Sequence, residues 1–143
     1  MIKFEKESKP GCILPEYIEI KDSLIPNAGK GAFATVDIPK GKTIGRYVGK
    51  EYTGKDMEKA CGDYLFSVSY KGKESKIIDG KNKKNSSWVR FVNSPLKMED
   101  GNAYFFQRYQ NIYIRTSKDI KKGEEIFAYY GDEYVNEKLK NFN

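Results

Sequence analysis

The clearest alternation of apolar and polar positions lies in DYLFSVSY, residues 63–70, where Tyr64, Phe66, Val68 and Tyr70 share one face and Leu65, Ser67 and Ser69 the other. A period of two predicts a half-buried strand. Shorter segments of the same character recur. Residues 17–20 and the GAFATV run at 31–36 read as strands, with LIPNAGKG between them supplying the Pro, Asn and Gly of a tight turn. IPKGK at 38–42 turns the chain into TIGRYVG, and TGKDMEKAC at 53–61 has the composition of one or two helical turns. After a polar loop at 80–87, residues 103–116 predict two strands joined by a short turn near 109–111, and KKG at 121–123 turns the chain again. The final DEYVNEKLK begins with acids and ends with lysines, which suits a helix dipole over 132–141. Residues 1–16 carry mixed charge and a Pro-Gly break and read as an extension. The pattern predicts a mainly β domain with little helix.

Composition narrows this picture. At 143 residues the chain fits a single domain. Eleven Tyr and eight Phe offset the modest hydrophobic share of 38% with large rings that bury much area each. No run approaches the ~18 apolar residues of a membrane span, and MIKFEKESKP lacks a signal-peptide core, so a soluble intracellular protein with no membrane association is expected. Cys12 and Cys61 are far apart and histidine is absent, which excludes a Cys/His zinc site, and no metal site is expected. The same absence removes histidine as a general acid or base and leaves tyrosine as the leading candidate for chemistry. The net charge of +6 comes mainly from lysines scattered through turns, which argues against direct nucleic-acid binding as the main function.

Three strings carry candidate chemistry. In NAGKGAF, Gly29 and Gly31 allow close backbone approach to a ligand, although a GxG alone is better explained by a tight turn between strands. It is not a dinucleotide fingerprint, since no third glycine follows and no helix is predicted after it. RFVNSP at 90–95 and GEEIFAYYGDEY at 123–134 would singly pass for a turn and a core strand. In this order and at these separations, the three resemble a SET-domain lysine methyltransferase. The stretch SSWVRFVN, then IYIRTSKDI and YYGDEY, is most similar to the PR/SET branch of that family.

The resemblance implies a fold of small curved β-sheets with short helices and a C-terminal pseudoknot that brings Asn93 and Tyr130 together. It implies an extension over 1–16, a SET domain over 17–136 and a helical tail over 137–143. It also implies S-adenosylmethionine as cofactor, bound by Ala28, Gly29, Lys30 and Gly31 of the turn, by Arg90, Asn93 and Ser94 of RFVNSP, and by Tyr64. Tyr134 would close the adenine side of that pocket or anchor the final helix. Tyr130 takes the position of the catalytic tyrosine, and Tyr47 that of a tyrosine lining the substrate-lysine channel. Two departures stand out: Ser94 replaces the usual His of RFxNHS, and Ala128 stands where many members carry an aromatic residue that limits methyl count.

The implied function is protein-lysine N-methylation, with histone tails as the family's commonest targets and a nuclear location if they are the substrate. A basic chain repels basic tails at long range, so a non-histone protein is an alternative, as is a local acidic rim from Glu99, Asp100, Asp132 and Glu133. Two further readings belong to other classes: a catalytically silent PR/SET-type protein-interaction module, and a basic nucleic-acid-binding β domain with salt-sensitive affinity.

Overall fold

A computed structural model describes residues 2–130. Tyr134, the expected helix over 132–141, the tail over 137–143 and two of the candidate rim acids lie outside the described residues. Within them, eight short strands form three small antiparallel sheets. β1 (Ile18–Asp22) pairs with β2 (Lys30–Ala34), and Ile18 is buried in β1 while Glu19 points outward. β3 (Thr43–Arg46) lies beside the chain's last hairpin, and β4 (Lys50–Thr53), β5 (Leu65–Val68) and β6 (Lys76–Asp79) form a sheet in the order β4-β6-β5. β7 (Ala103–Arg108) and β8 (Asn111–Thr116) make that hairpin, turning at Tyr109 with φ of 55° and giving the order β3-β8-β7. The helical elements among the described residues are 3₁₀ turns at Gly54–Lys59, Lys83–Asn85, Trp88–Phe91 and Met98–Asp100.

The strand at DYLFSVSY is shorter than its alternation predicts. β6 offers a partner for only four residues, so Val68 is buried and Phe66 half-buried, while Tyr64 and Tyr70 lie beyond the ladder at 37% and 39% exposure. β4 and β6 are strands that the pattern does not announce. β6 is buried at three of its four positions and so lacks alternation, and it opens on Lys76, whose charge is met by Glu51 of β4 at 2.9 Å. The leading residues form no strand but are pinned to the sheets. Tyr17 donates its hydroxyl to the Ile44 carbonyl at 2.8 Å and accepts from the Glu5 amide at 3.0 Å. Glu7 pairs with Arg46 at 2.9 Å and accepts from the Tyr113 hydroxyl at 3.1 Å.

The core centres on Trp88, Val89, Ile44, Ile114 and Ile126, all at 1% exposure or less. Ile126 belongs to the segment that organises the molecule. Over 123–126 this segment extends the first sheet, with Gly123 N–H on the Ala34 carbonyl at 2.7 Å and Ile126 N–H on that of Ala32 at 2.8 Å. Over 127–128 it is held on two sides. Ala128 N–H donates to the Asn93 carbonyl, while the Phe127 carbonyl accepts from both Asn102 and Ala103, all at 3.0 Å. The ends of the 94–102 loop thus close around the C-terminal segment, and this is the expected pseudoknot.

Asn102 locks the crossing with its side chain, donating Nδ2–H to the Glu125 carbonyl at 2.9 Å and accepting from Phe127 N–H at 2.8 Å. Asn102→Ala should therefore cost about 1–3 kcal/mol, because it strips partners from two backbone groups inside the crossing. Urea denaturation checks this, and an unchanged midpoint would remove the side chain from the account.

Candidate active site

The turn between β1 and β2 is shaped by its own backbone and by one buried acid. Asn27 and Gly29 adopt φ of 65° and 72°, and Ser23 N–H closes the turn on the Gly29 carbonyl at 2.8 Å. Glu125, 2% exposed, reaches into it. One carboxylate oxygen accepts from the Leu24 amide at 2.7 Å, and the other accepts from the Ser23 hydroxyl at 2.7 Å and Asn93 Nδ2–H at 3.3 Å. Gly31 leaves the space this needs, since a Cβ there would overlap the carboxylate. Asn93 Nδ2–H also donates to the Lys30 carbonyl at 2.9 Å, while the Lys30 ammonium turns outward to Asp22 at 2.7 Å. Ala28, Gly29, Lys30, Gly31 and Asn93 are therefore assembled on one side of the inserted segment.

On its way out of the crossing the same segment reaches an aromatic cleft of about 280 Å³, lined by Tyr47, Asp63, Leu65, Phe66, Tyr104, Phe105, Tyr129 and Tyr130. Phe66 stands edge-on to Tyr47 at 4.7 Å, and Phe105 lies 4.8 Å from Phe66 and 5.6 Å from Tyr130. Both candidate tyrosines are fixed by backbone carbonyls. Tyr47 donates its hydroxyl to Tyr64 O at 2.8 Å, and Tyr130 donates to Val92 O at 2.6 Å. Ser94 Oγ accepts from the Tyr130 amide at 3.0 Å, which ties RFVNSP to the cleft. Ala128 is fully buried. A larger groove of about 1100 Å³ runs between residues 2–7 and 36–43 and contains none of the motif residues.

Arg90 is buried behind the cleft. It donates Nε–H to the Gly80 carbonyl at 2.6 Å and an Nη2–H to that of Lys81 at 3.3 Å, with its guanidinium 4.3 Å from the Tyr64 ring. Burial pushes the Tyr47 phenol well above the usual tyrosine range, and the nearby Arg90 charge offsets this only in part. Sequence reasoning did not single out Glu125, Asn102, Gly80 or the cleft walls at Phe66, Phe105 and Tyr129. The available signal for Glu125 was an acid bordered by the apolar IFA run. Its neighbour Glu124 is exposed and only closes a turn on the Lys121 amide at 2.6 Å.

Comparison with known proteins decides the family. A family model of the PR domain of PR domain zinc finger protein 2 matches residues 18–141. The chain belongs to the PR-domain family. This makes it a PR/SET-type SET domain. It is 34% identical over 131 residues to the Caenorhabditis elegans histone-lysine N-methyltransferase set-17, covering 91% of this chain and 46% of that protein. It is 35% identical over 126 residues to the human histone-lysine N-methyltransferase PRDM7, covering 87% and 25%. The chain thus spans less than half the length of these relatives. The solved methyltransferase domain of human PR domain-containing protein 2 matches with a TM-score of 0.72 at 28% identity, over 82% of this chain and 79% of that one. The fold and its family are therefore those of PR/SET methyltransferases.

Two consequences are measurable. Glu125→Gln places an amide NH₂ where the carboxylate meets only donors, so it should cost about 1–3 kcal/mol in urea denaturation. The same substitution should speed hydrogen exchange at the Leu24 amide. For Tyr47 the folded value lies above the unfolded one, so its contribution to stability is complete below about pH 10 and is lost as pH rises further. Tyr47→Phe should accordingly flatten the alkaline decline of the urea midpoint relative to the parent protein.

Proposed function

We propose that this chain is an S-adenosylmethionine-dependent protein-lysine N-methyltransferase, with Tyr130 and Tyr47 at the reaction centre. The observation that carries this reading is that one inserted segment joins the Asn93-bound turn to an aromatic cleft containing both tyrosines. The turn and RFVNSP fit the zwitterionic end of the cofactor. The backbone groups of Ala28, Gly29, Lys30 and Gly31 that the turn and ladder leave open would meet an ammonium and a carboxylate, and Asn93 and Ser94 would hold it from the other side. When bound, S-adenosylmethionine supplies an electrophilic methyl group on a sulfonium.

The cleft would prepare the substrate. A lysine ammonium has a reference pKa near 10.4 and must lose a proton before its nitrogen can attack. Aromatic walls favour the neutral amine by desolvation, so no histidine base is needed. Tyr47 and Tyr130 each commit a hydroxyl proton to a backbone carbonyl, which presents their oxygens as acceptors for amine N–H groups. Their fixed directions align the amine, and alignment of this kind is worth on the order of 7–11 kcal/mol. The relatives' names point to histones as the substrate class and to a nuclear site of action.

Incubation with S-adenosylmethionine and core histones, followed by peptide mass spectrometry, tests the reading. Lysine methylation is expected, falling by about 100-fold or more in Tyr130→Phe through misplacement of the amine. That variant should lose about 0.5–1.5 kcal/mol of stability with the hydroxyl's bond to the Val92 carbonyl. Full activity in Tyr130→Phe would contradict the assignment, and absence of both methylation and cofactor binding would favour an interaction module.

A further inference from the structure

We propose that Arg90 is a positioning residue for the Tyr47 hydroxyl, acting through Gly80 and the Tyr64 carbonyl. This rests on the reading of Tyr47 as a residue that faces the substrate lysine. The Tyr64 carbonyl receives two donors, the Tyr47 hydroxyl and the Gly80 amide, each at 2.8 Å. Arg90 holds both ends of that junction. Its Nε–H fixes the Gly80 carbonyl at 2.6 Å and an Nη2–H reaches that of Lys81, while its guanidinium lies 4.3 Å from the Tyr64 ring and 4.8 Å from that of Phe91.

The junction has little slack. A Cβ on Gly80 would sit 2.5 Å from the Tyr47 hydroxyl oxygen, so the 80–81 turn approaches Tyr47 as closely as a backbone can. A shift of that turn would reorient the acceptor that aims Tyr47. Arg90 is 8% exposed, and its partners among the described residues are carbonyls and ring faces. A planar fork meets two adjacent carbonyls and stacks on rings at once, which a lysine ammonium cannot reproduce. This assigns Arg90 a role on the lysine side of the site, apart from the cofactor side implied by the family resemblance.

The test compares Arg90→Lys with the parent protein, alone and in a Tyr47→Phe background. Arg90→Lys should lower kcat by about 10- to 100-fold and leave S-adenosylmethionine affinity unchanged. In the Tyr47→Phe background it should cost nothing more, since both changes remove one positioned hydroxyl. Additive losses, or weakened cofactor binding, would overturn the proposal.

A second readout needs no turnover. In protein carrying ¹³C-labelled tyrosine, the two sides of the Tyr47 ring should give separate signals that average in Arg90→Lys, and identical Tyr47 spectra would overturn the proposal. If the parent protein shows neither methylation nor S-adenosylmethionine binding, the functional reading fails while the ring signals still decide the role of Arg90. Should Arg90→Lys fail to fold, Arg90→Gln, which keeps an N–H donor on a shorter side chain, probes the same junction, with the same averaging expected and an unchanged Tyr47 spectrum as the contrary result.

Discussion

The structure depends on a buried carboxylate that belongs to a crossing segment. Glu125 sits where that segment leaves the first sheet and enters the closed 94–102 loop, and its oxygens are met by Leu24, Ser23 and Asn93. A buried carboxylate is tolerable only when donors surround it, and here the donors come from two motifs distant in sequence. The charge therefore selects one arrangement of turn, RFVNSP and crossing segment. Gly31 is required because the acid fills the volume that a side chain would occupy.

The crossing also explains how two chemically different surfaces meet. Its first half presents polar backbone and Asn93 beside the β1–β2 turn, and its second half delivers Tyr130 into a cleft of rings. Burial extends the range over which Tyr47 stays protonated beyond that of an ordinary tyrosine. A neutral phenol whose proton is already given to a carbonyl can orient an amine without becoming a competing charge. In a chain without histidine, the proposed lysine methylation would rely on dehydration of the substrate and fixed acceptors in place of a dedicated base.

Much of this was legible through the SET-domain resemblance that NAGKGAF, RFVNSP and GEEIFAYYG carry, which implied the fold and the pseudoknot and, with GRYVG, set Tyr47 beside Tyr130 as an expectation. Alternation did not carry the β7–β8 hairpin, whose β8 is buried at Ile112, Tyr113 and Ile114 in succession and whose aromatic and β-branched runs flank a polar break near Tyr109. It missed β6, where burial on both faces erases the period, and it overextended β5, whose length is set by its partner. Glu125 and Gly80 were not legible for another reason. An acid within a strand-like run, or a glycine in a polar loop, acquires its meaning only from neighbours distant in sequence. Arg90 shows the same limit: its place in RFVNSP does not reveal that its hydrogen bonds go to the Gly80 and Lys81 carbonyls.

The most direct test of a single site joined by the crossing segment is an NMR titration with S-adenosylmethionine, following backbone amides and ¹³C-labelled tyrosine rings. Saturable shifts are expected at Gly29, Lys30, Gly31 and the Asn93 side-chain amide, together with the ring of Tyr130. Shifts confined to the groove beside residues 2–7, or no saturable shift at all, would contradict it.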